Sequence, residues 1–270
     1  MRIEDLDHPK DKPGAAPALI NDLRWLGFDW DEEYVQSERK DIYRGALKSL
    51  GELAYPCICS RRDVEVAQSA PHSGEQLYYP GTCRGRFKSW AEARAAKGAD
   101  PCWRFKVEPN TIVEFEDNFV GHFKQDVSSV LGDFPIARDE FGAGYTLACT
   151  IDDMLMGVTE VVRGDDLLPA TPAQIMLANA LCHSMIQRFD DSTISYCHVP
   201  LVVGKDGKRL AKRHGDTRIA TFRQMGKTPA EIIGFLAHSC GWADKDEPIS
   251  LAALLPRFDL STIPRAPFMI

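Results

Sequence analysis

Apolar residues recur at helical spacing in two early stretches. Leu19, Ile20, Leu23 and Leu26 line one side of a helix over residues 15–26, and Ile42, Tyr43, Ala46, Leu47, Leu50 and Leu53 do the same over 40–54. Ahead of them, Arg2-Ile3-Glu4-Asp5-Leu6-Asp7 reads as the end of a strand running into a loop. From about 55 to 100 the texture changes to Cys, Pro, Gly and Arg, with one short helix near Trp90 to Ala96, as in an insertion with its own fold. Alternation predicts strands over Trp103 to Val107 and Thr111 to Phe119, then a longer extended region from Phe134 to Arg163 broken by Gly142-Ala143-Gly144. Thr171-Pro172-Ala173-Gln174 reads as a capping box with proline at the first helical position, opening a helix to about His183. Residues 196–203 read as an apolar strand, broken by Gly204 to Lys208. Thr228-Pro229-Ala230-Glu231 opens a further capped helix to about Ser239, and Pro256 to Ile270 reads as a docked tail. The mixture is that of an α/β domain seen from its second element onward.

Composition narrows this only a little. The 270 residues are 44% hydrophobic and 26% charged, ordinary for a globular chain of one large or two small domains. With 32 Lys+Arg against 39 Asp+Glu the formal net charge is -7, which argues against a nucleic-acid coat protein and leaves room for a local basic patch. No apolar run approaches the roughly 18 residues of a membrane helix, and the charged N-terminus lacks a signal-peptide core, so the expected compartment is the cytoplasm. Of eight cysteines, Cys102, Cys149, Cys182, Cys197 and Cys240 stand singly among apolar residues, as small core hydrophobes do.

Three features carry chemistry. Cys57, Cys59 and Cys83 lie close together and suit Zn²⁺, which takes four ligands in a tetrahedron. A fourth ligand is needed, and His72 and Tyr79 are the candidates; general zinc chemistry favours His72. Three reduced thiols in a surface module are the plainer alternative. The segment Gly204 to Asp216 brackets Lys205, Lys208, Arg209, Lys212 and Arg213 with glycines, so it could close over a polyphosphate. A solvated turn would look the same on charge alone. Finally, Arg2, Glu4, Asp5 and Asp7 sit at one strand end and Arg163-Gly164-Asp165-Asp166 at another, where α/β sheets bind ligands and where charges are also simply solvated.

In order, these pieces resemble the glutamyl-tRNA synthetase family of class I synthetases. The match runs through Arg2 to Asp7, Tyr145-Thr146-Leu147-Ala148, Ile151-Asp152-Asp153, Gly157 to Leu168, the Thr171-Pro172 helix start, and Lys208 to Gly215. The resemblance implies a Rossmann-like catalytic domain (1–54 and 102–203), a zinc-bearing insertion (55–101), and an ATP-signature loop with a helical C-terminal part (204–270). It is strongest to the branch that activates glutamate with ATP, with Mg²⁺, and transfers it to queuosine in tRNA(Asp). In that branch a tyrosine completes the zinc site, which implies Cys57, Cys59, Tyr79 and Cys83 as ligands. Carried over by position, Glu4 binds the amino group of glutamate, Tyr145 holds the amino acid and Arg163 pairs with a carboxylate. Lys212 keeps the charge that stabilises the α-phosphoryl transition state, whereas Arg209 and Ala211 depart from the family's second ATP signature. The family also implies a strand, a first ATP signature and a helix ahead of Arg2, so the expectation is a start upstream of Met1. The expected enzyme is a monomer. Two other readings compete: an inactive paralogue that binds tRNA or regulates, and a zinc-containing nucleic-acid-binding protein, which leaves Tyr145 through Leu168 unexplained.

Overall fold

The structure is a computed structural model that describes residues 1–6, 14–67, 78–140, 142–184, 194–208 and 219–270. The elements in chain order are β1 (Arg2–Ile3), α1 (Ala15–Leu26), β2 (Tyr34–Val35), α2 (Lys40–Ser49), β3 (Ala54–Cys57), α3 (Arg61–Ala67) and α4 (Trp90–Lys97). They continue with β4 (Cys102–Phe105), β5 (Ile112–Asp117), β6 (Gly121–Asp126), α5 (Val127–Val130), β7 (Pro135–Ala137), α6 (Tyr145–Leu155), β8 (Glu160–Gly164) and α7 (Thr171–Ser184). The chain closes with β9 (Ser195–Val199), β10 (Val202–Val203), α8 (Ile219–Gln224), α9 (Pro229–Ser239), α10 (Leu251–Leu254) and β11 (Phe268–Met269).

The fold is α/β with mixed sheets. A four-stranded sheet has the order β6-β5-β9-β8, with β9 parallel to both β5 and β8, and β6 antiparallel at the edge. Strands β3, β4 and β7 form an antiparallel sheet, while β1 with β2 and β10 with β11 are parallel pairs. The last pair shows the C-terminal tail docked, with Phe268 N–H donating to the Leu201 carbonyl.

One predicted element is wrong. The region from Phe134 to Arg163 is extended only at β7 and β8; between them lies α6. Its β-branched and aromatic residues suggest a strand, but Leu147, Ala148, Ile151 and Met154 are buried at the i, i+1, i+4, i+7 spacing of a helix. Burial against α2 and α7 overrides intrinsic propensity here, because α6 is the centre of the main core. A second core joins Leu26 of α1 to Ile232, Ile233 and Ala237 of α9. A third, small one holds Tyr55, Cys57, Val64, Tyr79 and Cys83.

The helix starts differ as well. Thr228 and Glu231 form the expected capping box of α9, with Pro229 in its first turn. At α7 no such box forms. The preceding 3-10 turn Asp165–Ala170 runs straight into the helix, with Thr171 already helical at φ -57 and ψ -43. Its hydroxyl is used elsewhere.

Candidate active site and metal centre

The carboxyl end of β8 carries Arg163, and the parallel neighbour β9 places His198 directly beside it. Arg163 Nε–H donates to His198 Nε2 at 3.0 Å. Its Nη2 donates to Thr171 Oγ1 and Gln174 Oε1, both at 2.7 Å. The two residues that the sequence offered as a helix cap therefore orient an arginine instead. Behind the ring, His198 Nδ1 lies 2.6 Å from Asp117 Oδ2, and both side chains are fully buried. Burial lowers the His198 pKa despite the Asp117 partner, so the imidazole is neutral. For Asp117 burial acts upward, but the amide N–H groups of Val120, Phe119 and His198 and the His198 ring outweigh it and hold the carboxyl below its usual range.

Glu4 follows β1 and accepts from two side chains. Arg2 donates to its Oε1 from Nε at 3.2 Å and Nη2 at 3.1 Å, and the Cys149 thiol donates to the same oxygen at 3.2 Å. Arg2 is anchored on its other side by Asp153 of α6. Tyr145, the first residue of α6, completes the group. Partial burial together with Cys149 and Glu4 pushes its phenol up to about 12, against the opposing pull of Arg163. Glu4 is thus held against Cys149, one helical turn from Tyr145, and Arg163 lies near enough to act on the same phenol. Asp7, Arg209 and Lys212 lie outside the described residues, as does His72; the described part of the basic loop is a tight turn in which Gly204 N–H donates to the Lys208 carbonyl.

The cysteine cluster is a second centre. The Sγ atoms of Cys57, Cys59 and Cys83 all lie within 4.8 Å of one another. Cys59 Sγ is 3.6 Å from Cys83 Sγ, and Tyr79 Oη is 3.3 Å from Cys57 Sγ and 3.6 Å from Cys59 Sγ. Tetrahedral zinc with Zn–S near 2.3 Å requires S···S edges of about 3.8 Å and S···O edges of about 3.5 Å, so the donor set has the right chemistry and size. The amide of Cys83 donates to Tyr79 Oη at 2.8 Å, which orders this oxygen as an acceptor. Gly132 makes the approach possible: it has φ 61, the left-handed region, and a Cβ there would overlap the Tyr79 carbonyl.

Sequence reasoning missed the supports of both centres. Cys102 is not merely a small core residue, because it faces Cys57 across the β3–β4 register. A hydrogen bond from Cys102, and further ones from Tyr79 and Arg104, outweigh burial and hold the Cys57 thiol well below its usual value. Arg104 donates from Nε to Cys57 Sγ at 3.3 Å, and its guanidinium carbon sits 3.7 Å above the Tyr79 ring. His198 was passed over inside an apolar strand; a polar ring in such a run was the signal available.

Residues 1–255 match the family described as tRNA synthetases class I (E and Q), catalytic domain. The chain belongs to that family. It is 42% identical to the glutamyl-Q tRNA(Asp) synthetase of Symbiobacterium thermophilum, over all of this chain and 84% of the relative. Identity is also 42% to the enzyme of that name from Rhodopirellula baltica, over all of this chain and 85% of the relative. The glutamate–tRNA ligase of Aquifex aeolicus is 36% identical over 99% of this chain, but only 56% of the ligase is covered. In fold, the synthetase-family chain is similar to a glutamate tRNA ligase from Elizabethkingia meningosepticum, with TM-score 0.77 and 23% identity over 99% of this chain and 59% of that one. As a member of a ligase family, the protein is an enzyme of the aminoacyl-tRNA synthetase kind. Among the described residues no helix is long and apolar enough to cross a membrane.

Proposed function

We propose that the protein activates glutamate with ATP and transfers it to queuosine in tRNA(Asp). The observation that carries this reading is Glu4 held against α6 one turn from Tyr145, at Cys149, with Arg163 at the end of β8 acting on the same phenol. A carboxylate at one side suits an ammonium group, and a guanidinium at the other suits a carboxylate. The remaining carboxylate of the amino acid attacks the α-phosphorus of ATP, a P–O bond forms, and the bond to pyrophosphate breaks. Lys212 neutralises charge on the phosphoryl group during that step, and Mg²⁺ accompanies ATP as part of the substrate. Preference for the queuosine branch is supported by the relatives of that name, to which the chain is 42% identical, against 36% for a glutamate–tRNA ligase.

Zinc is part of the same proposal. Cys57, Cys59, Cys83 and Tyr79 would hold it, and its contribution is to fold the insertion rather than to take part in the reaction. The test of function is glutamate-dependent ATP–pyrophosphate exchange without tRNA, followed by glutamylation of tRNA(Asp) with and without queuosine. Exchange with glutamate, and transfer only to the modified tRNA, is the expected result. Transfer to tRNA(Glu) instead would replace the queuosine assignment by that of a plain glutamate–tRNA ligase. Folded protein with no exchange activity would remove the activation reading.

A further inference from the structure

Several arginines among the described residues are held by carboxylates. Arg2 pairs with Asp153 and Glu4, Arg39 with Asp152, and Arg84 with Asp133. Arg163 is held differently. Its Nε reaches a neutral imidazole, and its Nη2 reaches a hydroxyl and an amide oxygen. Among the described residues no carboxylate oxygen lies within ion-pair distance of it, and Nη1 has no hydrogen-bond acceptor. Three neutral acceptors thus fix the plane of the guanidinium, and among the described residues no carboxylate pairs with it directly.

This arrangement depends on which imidazole nitrogen carries the proton. Arginine Nε–H only donates, so His198 Nε2 must be the accepting nitrogen and Nδ1 must bear hydrogen. Asp117 enforces that tautomer. Its Oδ2 receives Nδ1–H at 2.6 Å. Its Oδ1 accepts the amides of Phe119 at 2.9 Å, Val120 at 2.8 Å and His198 at 3.2 Å. The only anion in the chain of contacts therefore acts through the ring and does not touch the guanidinium.

We propose that Asp117 and His198 are positioning residues that keep Arg163 oriented and electrostatically unpaired, so that it selects a carboxylate over an amide on the bound amino acid. This rests on the reading of Arg163 as the carboxylate-binding residue. A pairing with Asp or Glu would have held the side chain equally firmly, but it would have neutralised the charge that distinguishes glutamate from glutamine. A neutral acceptor set retains it.

The experiment is steady-state ATP–pyrophosphate exchange with glutamate and with glutamine, on the wild type and on Arg163→Gln, His198→Leu, His198→Gln and Asp117→Asn. His198→Leu removes the acceptor, and the expected effect is a rise of about 10- to 100-fold in KM for glutamate with kcat little changed, the scale of a lost hydrogen bond to a charged group. Discrimination against glutamine falls with it. His198→Gln offers an amide oxygen to Arg163 and recovers most of the affinity. Asp117→Asn no longer enforces the accepting tautomer and behaves like His198→Leu. If His198→Leu fails to fold, the contrast between His198→Gln and Asp117→Asn carries the test. Unchanged KM in His198→Leu or Asp117→Asn, or a loss confined to kcat, overturns the proposal while leaving Arg163 in place. Unchanged KM in Arg163→Gln overturns the assignment of Arg163 itself.

Discussion

Replacing Tyr79 by Phe separates the two candidate fourth ligands of the cysteine cluster. The change removes one oxygen and leaves the ring, which stays beneath the Arg104 guanidinium at 3.7 Å and keeps its place in the small core around the cysteines. Two costs follow. The Cys83 amide, which donates to that oxygen at 2.8 Å, is left without its acceptor in a buried setting. An orphaned donor costs about 1–3 kcal/mol. The metal cost is separate. Structural zinc sites bind with apparent free energies of about 10–16 kcal/mol over four ligands, so one ligand is worth on the order of 3 kcal/mol, or roughly 100-fold in Kd. Water entering the vacated position reduces that figure. The assay is zinc competition against a chromophoric chelator, with Cys57→Ser as the variant that abolishes binding and His72→Ala as the parallel test. The expected order of affinity is wild type and His72→Ala together, Tyr79→Phe well below, and Cys57→Ser near zero. A Tyr79→Phe protein that keeps wild-type affinity while His72→Ala loses it refutes the oxygen ligand and restores the histidine.

Gly132→Ala forces a Cβ onto the Tyr79 carbonyl at a left-handed position, so zinc content and thermal stability should fall together; unaltered zinc affinity would separate Gly132 from the site. Lys212→Ala should lower kcat for pyrophosphate exchange strongly with the fold intact by circular dichroism, and unchanged turnover removes its role at the phosphoryl group. Thr228→Ala deletes the reciprocal cap of α9 and should cost about 1 kcal/mol in urea unfolding, with exchange activity kept. Stability should also fall in acid. His198 is lowered in the folded state, so its contribution is complete above the ordinary histidine range and is lost as pH drops through about 6.5. Asp117, also lowered, adds to the loss only further down, below about 3.9. Urea midpoints at pH 7.5 and 5.5 test this, and a midpoint that rises on acidification contradicts it.

Much of the fold was legible because burial follows local pattern. The α2 periodicity of Tyr43, Ala46, Leu47 and Leu50, the strand alternation near β5, and the Thr228 box all report on their own neighbours in sequence. The α6 region was not, since a helix buried almost all round loses the polar face that marks its period. The candidate site divides in the same way. Glu4, Tyr145, Arg163 and the cysteines stand in motifs long enough to resemble a family. Their supports come from remote elements: Asp153 reaches Arg2 across 151 positions, and His198 reaches Asp117 across 81. Such pairs leave no spacing to read.

Thr171 and Gln174 show why this division matters for function. Read locally, they promise a helix cap worth about 1 kcal/mol. In the fold, the preceding 3-10 turn makes that cap unnecessary and frees both side chains to accept from Arg163. The same two residue types thus satisfy a local rule on paper and a tertiary demand in fact, and the tertiary demand is the one tied to charge. Burying an arginine without an anionic partner is costly unless its donors are met by other acceptors. The neutral set of His198, Thr171 and Gln174 meets those donors on Nε and Nη2 while Nη1 stays open. That is the condition under which an incoming carboxylate gains a full ion pair rather than sharing one.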